Sequence, residues 1–195
     1  MKPLLFLAAS VVATMALSTT ARAADCAIDV EDPFDLEEAD VIALYDCISD
    51  EMVEGYTKEG DEIAGTYREW TASATRPAVA GAHGNRLLMT FANEIAAEQY
   101  LKFAEEGVVM PAGSVLAKES IKINTKKKKG VVGPLFIMTK GEAGSSPETG
   151  DWVYSGVQPN GKPMKFKQSF CSDCHVSWQS QDYLAYPLEE VRVSQ

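Results

Sequence analysis

Cys171, Cys174 and His175 stand in the run Cys-Ser-Asp-Cys-His near the C-terminal end of the chain, and C-x-x-C-H is the spacing that covalent attachment of a c-type haem requires. Two thiols three positions apart reach the two vinyl groups of one porphyrin, and the adjacent imidazole reaches the iron. Cys171 and Cys174 are then the thioether anchors, with His175 as proximal axial ligand. Two other chemistries use such a pair. A redox dithiol opens a helix within a βαβ pattern, which the surrounding sequence lacks. A zinc site needs two further ligands, and the chain offers only His83 and the pair Cys26 and Cys47. One covalently attached haem c is the expected cofactor.

The second axial position decides what such a haem does. His83 is the only histidine besides His175, so it is the one candidate for bis-His ligation, set against a structural role in a loop or at a strand edge. Met89, Met110, Met138 and Met164 offer sulfur ligands, although methionines inside strand patterns more often fill core space. Arg86 stands near these residues in sequence, as a pocket or a surface residue. The run Lys126 to Lys129 reads as a docking patch or, more simply, as a solvated hairpin turn.

Lys2, the apolar residues 3–17 and the ending Ala21-Arg22-Ala23 form a secretory signal peptide, residues 1–23. The stretch is too short for a membrane span. A periplasmic location follows, where c-type haems are attached and disulfides persist. Cys26 and Cys47 are then expected to pair, pinning the N-terminal segment to the first helix. The chain of 195 residues has a formal charge of −10, and loss of Lys2 and Arg22 takes the mature form to about −12. That charge disfavours nucleic acid and anionic membrane as partners and points instead to solubility or a basic redox partner. The remaining length of about 172 residues suits one compact unit.

The elements that must position the motif follow from periodicity. Asp35 with Glu38 reads as a capped helix start, and Val41, Leu44, Ile48, Met52 and Tyr56 then mark a helix over about 36–55. Ile63, Tyr67 and Trp70 continue on a shorter helix, and Pro77 to Gly84 reads as a loop. Strands are expected at 86–92, 114–123, 135–140 and 152–157, with a helix at 94–106 and a Gly/Ser/Pro loop at 141–151. This order predicts an α+β fold, N-terminal helices followed by a largely antiparallel sheet and a C-terminal haem-attachment helix. The N-terminal helical segment is placed at 24–66 and the haem domain at 67–195.

The order Tyr67-Arg68-Glu69-Trp70, then His83-Gly84 leading into a strand that ends at Asn93, then Pro111 to Glu119, Gly150-Asp151-Trp152, and Cys171 to His175 followed by Gln181-Asp182-Tyr183 resembles the cytochrome P-460 family. The resemblance runs from about Tyr67 to Tyr183. It implies a homodimer that oxidises hydroxylamine at a five-coordinate haem and passes electrons to an acceptor c-type cytochrome. It also implies that Lys118 corresponds to a lysine bonded covalently to the porphyrin edge. A related branch, the cytochromes c-prime-beta, lacks that bond, caps the distal face with phenylalanines and binds nitric oxide.

One departure bears on mechanism. Catalytic members carry a distal carboxylate where Phe136 stands here, and Leu135 to Met138 hold no acid. Glu119, Asp151 and Glu142 are the acids that could replace it, each also readable as a solvated surface group. A pocket lined by Phe136 and Phe91 would favour neutral diatomic ligands. The expected function is therefore action on small nitrogen compounds, hydroxylamine or nitric oxide, at an open distal site. The alternative is a plain electron carrier with a six-coordinate haem.

Overall fold

A computed structural model describes residues 26–194, so the signal-peptide reading at 1–23 lies outside the described residues. Among these residues no helix is long and apolar enough to cross a membrane. The order of elements is α+β, with helices at both ends of an antiparallel sheet of seven strands. β1 (Thr71–Ala72) and β2 (Ala78–Ala80) pair with β3 (Arg86–Ala92), which pairs with β4 (Val115–Asn124). β4 also pairs with β5 (Lys129–Val132) and β6 (Leu135–Lys140), and β6 with β7 (Trp152–Val157) at the sheet's edge.

Alternation along these strands gives the sheet two different faces. Leu87, Met89 and Phe91 lie in register with Ile121, Glu119 and Ala117, and this face continues through Ile137 into one core cluster. α1 (Glu38–Thr57) covers it with Val41, Leu44, Ile48, Met52 and Tyr56, a stripe at helical spacing that is fully buried. Gly55 lets α1 approach the backbone of the 158–161 turn, because a Cβ there would stand 2.4 Å from the Pro159 carbonyl oxygen. The opposite face carries Thr90, Lys118 and Phe136, with Ala92, Leu116, Met138 and Tyr154 in the second core cluster. α3 (Glu94–Tyr100) and the C-terminal segment cover that side.

Several boundaries differ from expectation. α1 begins at Glu38, because Asp32 caps a preceding 3-10 turn over Pro33–Asp35 and no side chain caps α1. The second helix, α2, is only Glu62–Thr66 before it tightens to a 3-10 turn. α3 stops at Tyr100 instead of about 106, since Phe103 turns left-handed and Glu105 to Gly107 are exposed. The loop at 77–84 contains β2, and Lys129 opens β5 once Lys128 has made the left-handed turn. The N-terminal segment extends this edge: Ala27 bridges Lys129, Ile28 N–H donates to the Lys128 carbonyl at 2.8 Å, and a Cys26–Cys47 disulfide ties it to α1. Lys128 also pairs with Asp29 at 2.7 Å.

Candidate haem site

The segment after β7 turns back along that strand's free edge. Val157 bridges Pro163, Met164 N–H donates to the Gly156 carbonyl at 2.8 Å, and the Gln168 side-chain amide accepts from Tyr154 N–H at 2.7 Å and donates to the Tyr154 carbonyl at 2.8 Å. Edge polar groups that would otherwise face solvent are thereby paired. The same bonds deliver α4 (Ser169–His175), which carries the whole C-x-x-C-H run. Cys171 and Cys174 are free thiols, one half-buried and one exposed. His175 closes the helix and is 7% exposed.

The orientation of His175 comes from the chain eight residues later. Its Nδ1 lies 2.7 Å from the Tyr183 carbonyl oxygen, so Nδ1 carries the hydrogen and donates it, leaving the Nε2 lone pair free. Asp182 and Tyr183 both adopt left-handed φ, 57° and 63°, which aims that carbonyl. Asp182 is anchored three ways. Its carboxylate accepts from Lys140 Nζ at 2.6 and 2.8 Å and from Met110 N–H at 2.7 Å, and its carbonyl accepts from Trp152 Nε1 at 2.9 Å. Lys140 also donates to the Gly150 carbonyl at 2.8 Å. Gly150 has no substitute, since a Cβ would fall 2.1 Å from the Tyr183 ring. Gln181-Asp182-Tyr183 is visible in the sequence as part of a resemblance, but this buried support for the imidazole is not.

Lys118 and Phe136 are directly paired across β4 and β6, on the sheet face that also carries Tyr154, whose ring centroid is 5.2 Å from that of His175. His83 packs edge-on against Phe136 at 5.0 Å. Burial foremost, with the Lys118 charge, pushes His175 down to about 4; burial, then Lys118, His175 and Arg86, push His83 down to about 3. Both imidazoles are thus neutral at pH 7, the form that binds a metal. Burial lowers the Lys118 amine to about 8 and raises the Cys171 thiol to about 11, the latter aided by Cys174.

Other expected residues are elsewhere. Phe91 projects to the opposite face, where its ring packs on Tyr67 at 5.3 Å, because it is one residue out of phase with Thr90 and Lys118. It does not line a pocket with Phe136. Glu119 and Met89 share that far face; Glu119 is 1% exposed and accepts from Arg68 Nε at 2.5 Å, Tyr67 at 2.5 Å and Tyr45 at 2.7 Å. Asp151 turns its carboxylate to the backbone N–H groups of Ser146 and Gly144, which hold it below its usual range, and Glu142 is exposed. None of the three acids joins Lys118 and Phe136. An open cleft of about 610 Å³ lined by Glu69, Trp70, Glu94 and Ile95 includes none of the Cys171 to His175 residues.

The donor set fits a haem. Two uncommitted thiols three residues apart, a neutral histidine with a locked tautomer, and a partly apolar sheet face lie together. Tyr154 Oη and Arg86 Nε are buried with no partner among the described residues, and both project from this face. The zinc alternative loses its ligands, because Cys26 and Cys47 are bonded to each other and the described residues hold no cluster of three or more His, Cys, Asp or Glu. In comparison with known proteins, the sequence model of the cytochrome P460 family matches residues 64–185. No curated protein matches the chain.

Proposed function

This chain belongs to the cytochrome P460 family and is a c-type haem protein; on that premise we propose that it is an exported mono-haem protein that acts on small nitrogen compounds at an open distal site. Cys171 and Cys174 would hold the porphyrin and His175 Nε2 the iron. The bound group supplies one-electron chemistry and a coordination position for a small nitrogenous ligand. The chain supplies the rest. Tyr183 keeps the hydrogen on His175 Nδ1, Asp182 and Lys140 hold that carbonyl in place, and Phe136, half-buried against His83, presents an apolar ring on the same side of the sheet. Lys118 brings an amine, lowered to about 8, to the same face.

The observation that carries this reading is the convergence of His175, Lys118, Phe136 and His83 without a carboxylate among them. Hydroxylamine oxidation releases protons and benefits from a nearby base. A pocket of Phe136 and neutral His83 suits capture of nitric oxide better. His83 also supports the second reading, an electron carrier with both axial positions filled, since its imidazole is neutral and close enough to His175 for protonation there to disfavour its own. Export to the periplasm is supported by the signal sequence and by the Cys26–Cys47 bond. An acceptor c-type cytochrome and a homodimer belong to the same reading.

The test is the ferrous absorption spectrum and intact mass of protein matured in a host that attaches c-type haem. A high-spin spectrum supports the open site, and a low-spin spectrum that becomes high-spin in His83→Ala transfers the reading to the carrier. A mass showing one bond beyond two thioethers, lost in Lys118→Ala, supports the porphyrin cross-link. A chain without haem sinks both readings.

A further inference from the structure

Net charge suggests that this acidic protein meets a basic partner, but the charge is not evenly spread. Residues 152–181, which form β7, its returning edge segment, α4 and the 3-10 turn after it, contain the lysines Lys162, Lys165 and Lys167 and the single acid Asp173, in a chain of net charge −10. The exposed Glu59 of the segment after α1 lies against Gly161, so Lys162 stands at the border of the basic stretch and Lys165 and Lys167 at its centre. All three lysines are exposed, and none is in an ion pair among the described residues. Their positions are imposed by the edge pairing of Pro163, Met164 and Gln168 with β7, which makes this stretch a fixed rim leading into α4. Beside them Phe170 is 70% and Val176 48% exposed, on either side of the exposed Cys174. A lysine-bearing segment that leads into exposed apolar side chains has the composition of a transient docking face.

We propose that this rim is the docking surface for an acidic electron-transfer protein, so that the partner is chosen by local charge and against the net charge. The proposal rests on haem being held at Cys171, Cys174 and His175. The Lys126 to Lys129 turn, which the sequence offers as a rival patch, belongs to the β4–β5 hairpin beside the N-terminal segment, and Lys128 is engaged by Asp29. Steering by a local field operates within about a Debye length, about 10 Å at 0.1 M salt, so the nearest charges outweigh the distant ones.

The experiment follows one-electron oxidation of the reduced holoprotein by ferricyanide, which becomes ferrocyanide, and by the tricationic tris(phenanthroline)cobalt(III), which becomes the cobalt(II) complex. Raising ionic strength from about 0.01 to about 0.1 M is expected to slow the ferricyanide reaction about 3-fold and speed the cobalt one. The triple variant Lys162→Glu, Lys165→Glu, Lys167→Glu is expected to reverse both signs, and Lys126→Glu with Lys127→Glu to leave them alone. Anisotropy of labelled poly-L-glutamate gives a readout independent of electron transfer; binding should be lost in the triple variant only. Ferricyanide oxidation that speeds with salt in the wild type, or poly-L-glutamate binding lost only in the Lys126 and Lys127 variant, overturns the docking surface while leaving the haem reading intact. Absence of haem from the purified protein overturns both.

Discussion

Lys118 and Glu119 are adjacent in sequence and serve opposite sides of one strand. Lys118 turns to the side of His175, whereas Glu119 enters the core under α1 and binds Arg68, Tyr67 and Tyr45. Removing one partner of a buried pair leaves the other charged and unsatisfied, so Glu119→Ala is expected to cost about 3–5 kcal/mol by denaturant unfolding, with the visible spectrum of surviving holoprotein unchanged. A change in that spectrum would place Glu119 in the site after all. Phe136 is the complementary case. Putting a carboxylate there, Phe136→Glu, is expected to raise steady-state hydroxylamine oxidation by about 10-fold or more if a missing base limits it. An unchanged rate would locate the limitation elsewhere.

At the scale of elements, the site depends on a brace between β6 and the segment after α4. Lys140 and Asp182, each about 10% exposed in their side chains, are 42 residues apart and meet at 2.6 Å, with the Trp152 ring 5.2 Å from the ammonium. Charged hydrogen bonds of this kind contribute about 1.5–3 kcal/mol. A double-mutant cycle of Lys140→Met and Asp182→Asn should therefore show coupling of about 2 kcal/mol. Asp182→Asn should also weaken retention of the proximal ligand, read as loss of the bond between His175 and the iron at milder denaturant. Full additivity would mean that the two side chains do not brace one another.

Across the whole molecule, the helical elements that precede β1 are bound to the sheet through buried phenols. Tyr56 and Tyr67 are fully buried, and burial, then the charge of Glu119, raises both well above the ordinary tyrosine value near 10. The folded state thus keeps protons that the unfolded chain loses above pH 10. Stability is full below that pH and falls as pH rises through it, by about 1.4 kcal/mol per pH unit for each tyrosine. Between about pH 8 and about pH 10 the Lys118 amine, lowered to about 8, acts in the opposite sense and raises stability with pH, so melting temperature should fall only beyond about pH 10.5, with a shallower fall in Tyr67→Phe. An equal slope in that variant would assign the alkaline loss to other groups.

The C-x-x-C-H motif, the α+β order, and the bounds of β3, β6 and β7 were legible in the residues, because each depends on local spacing or on alternation within a few positions. Alternation also holds a signal that a motif comparison passes over: Phe91 and Glu119 are each out of phase with the residues facing His175. Ends set by tertiary contact were less legible, as with α3, which Phe103 stops early, and β5, which needs β4 beside it. The support of His175 by Tyr183, of Tyr183 by Lys140 through Asp182, and of Glu119 by Arg68 was decided by the tertiary structure alone. Each joins groups whose meeting depends on where the chain folds back, and a one-residue change of register would separate them.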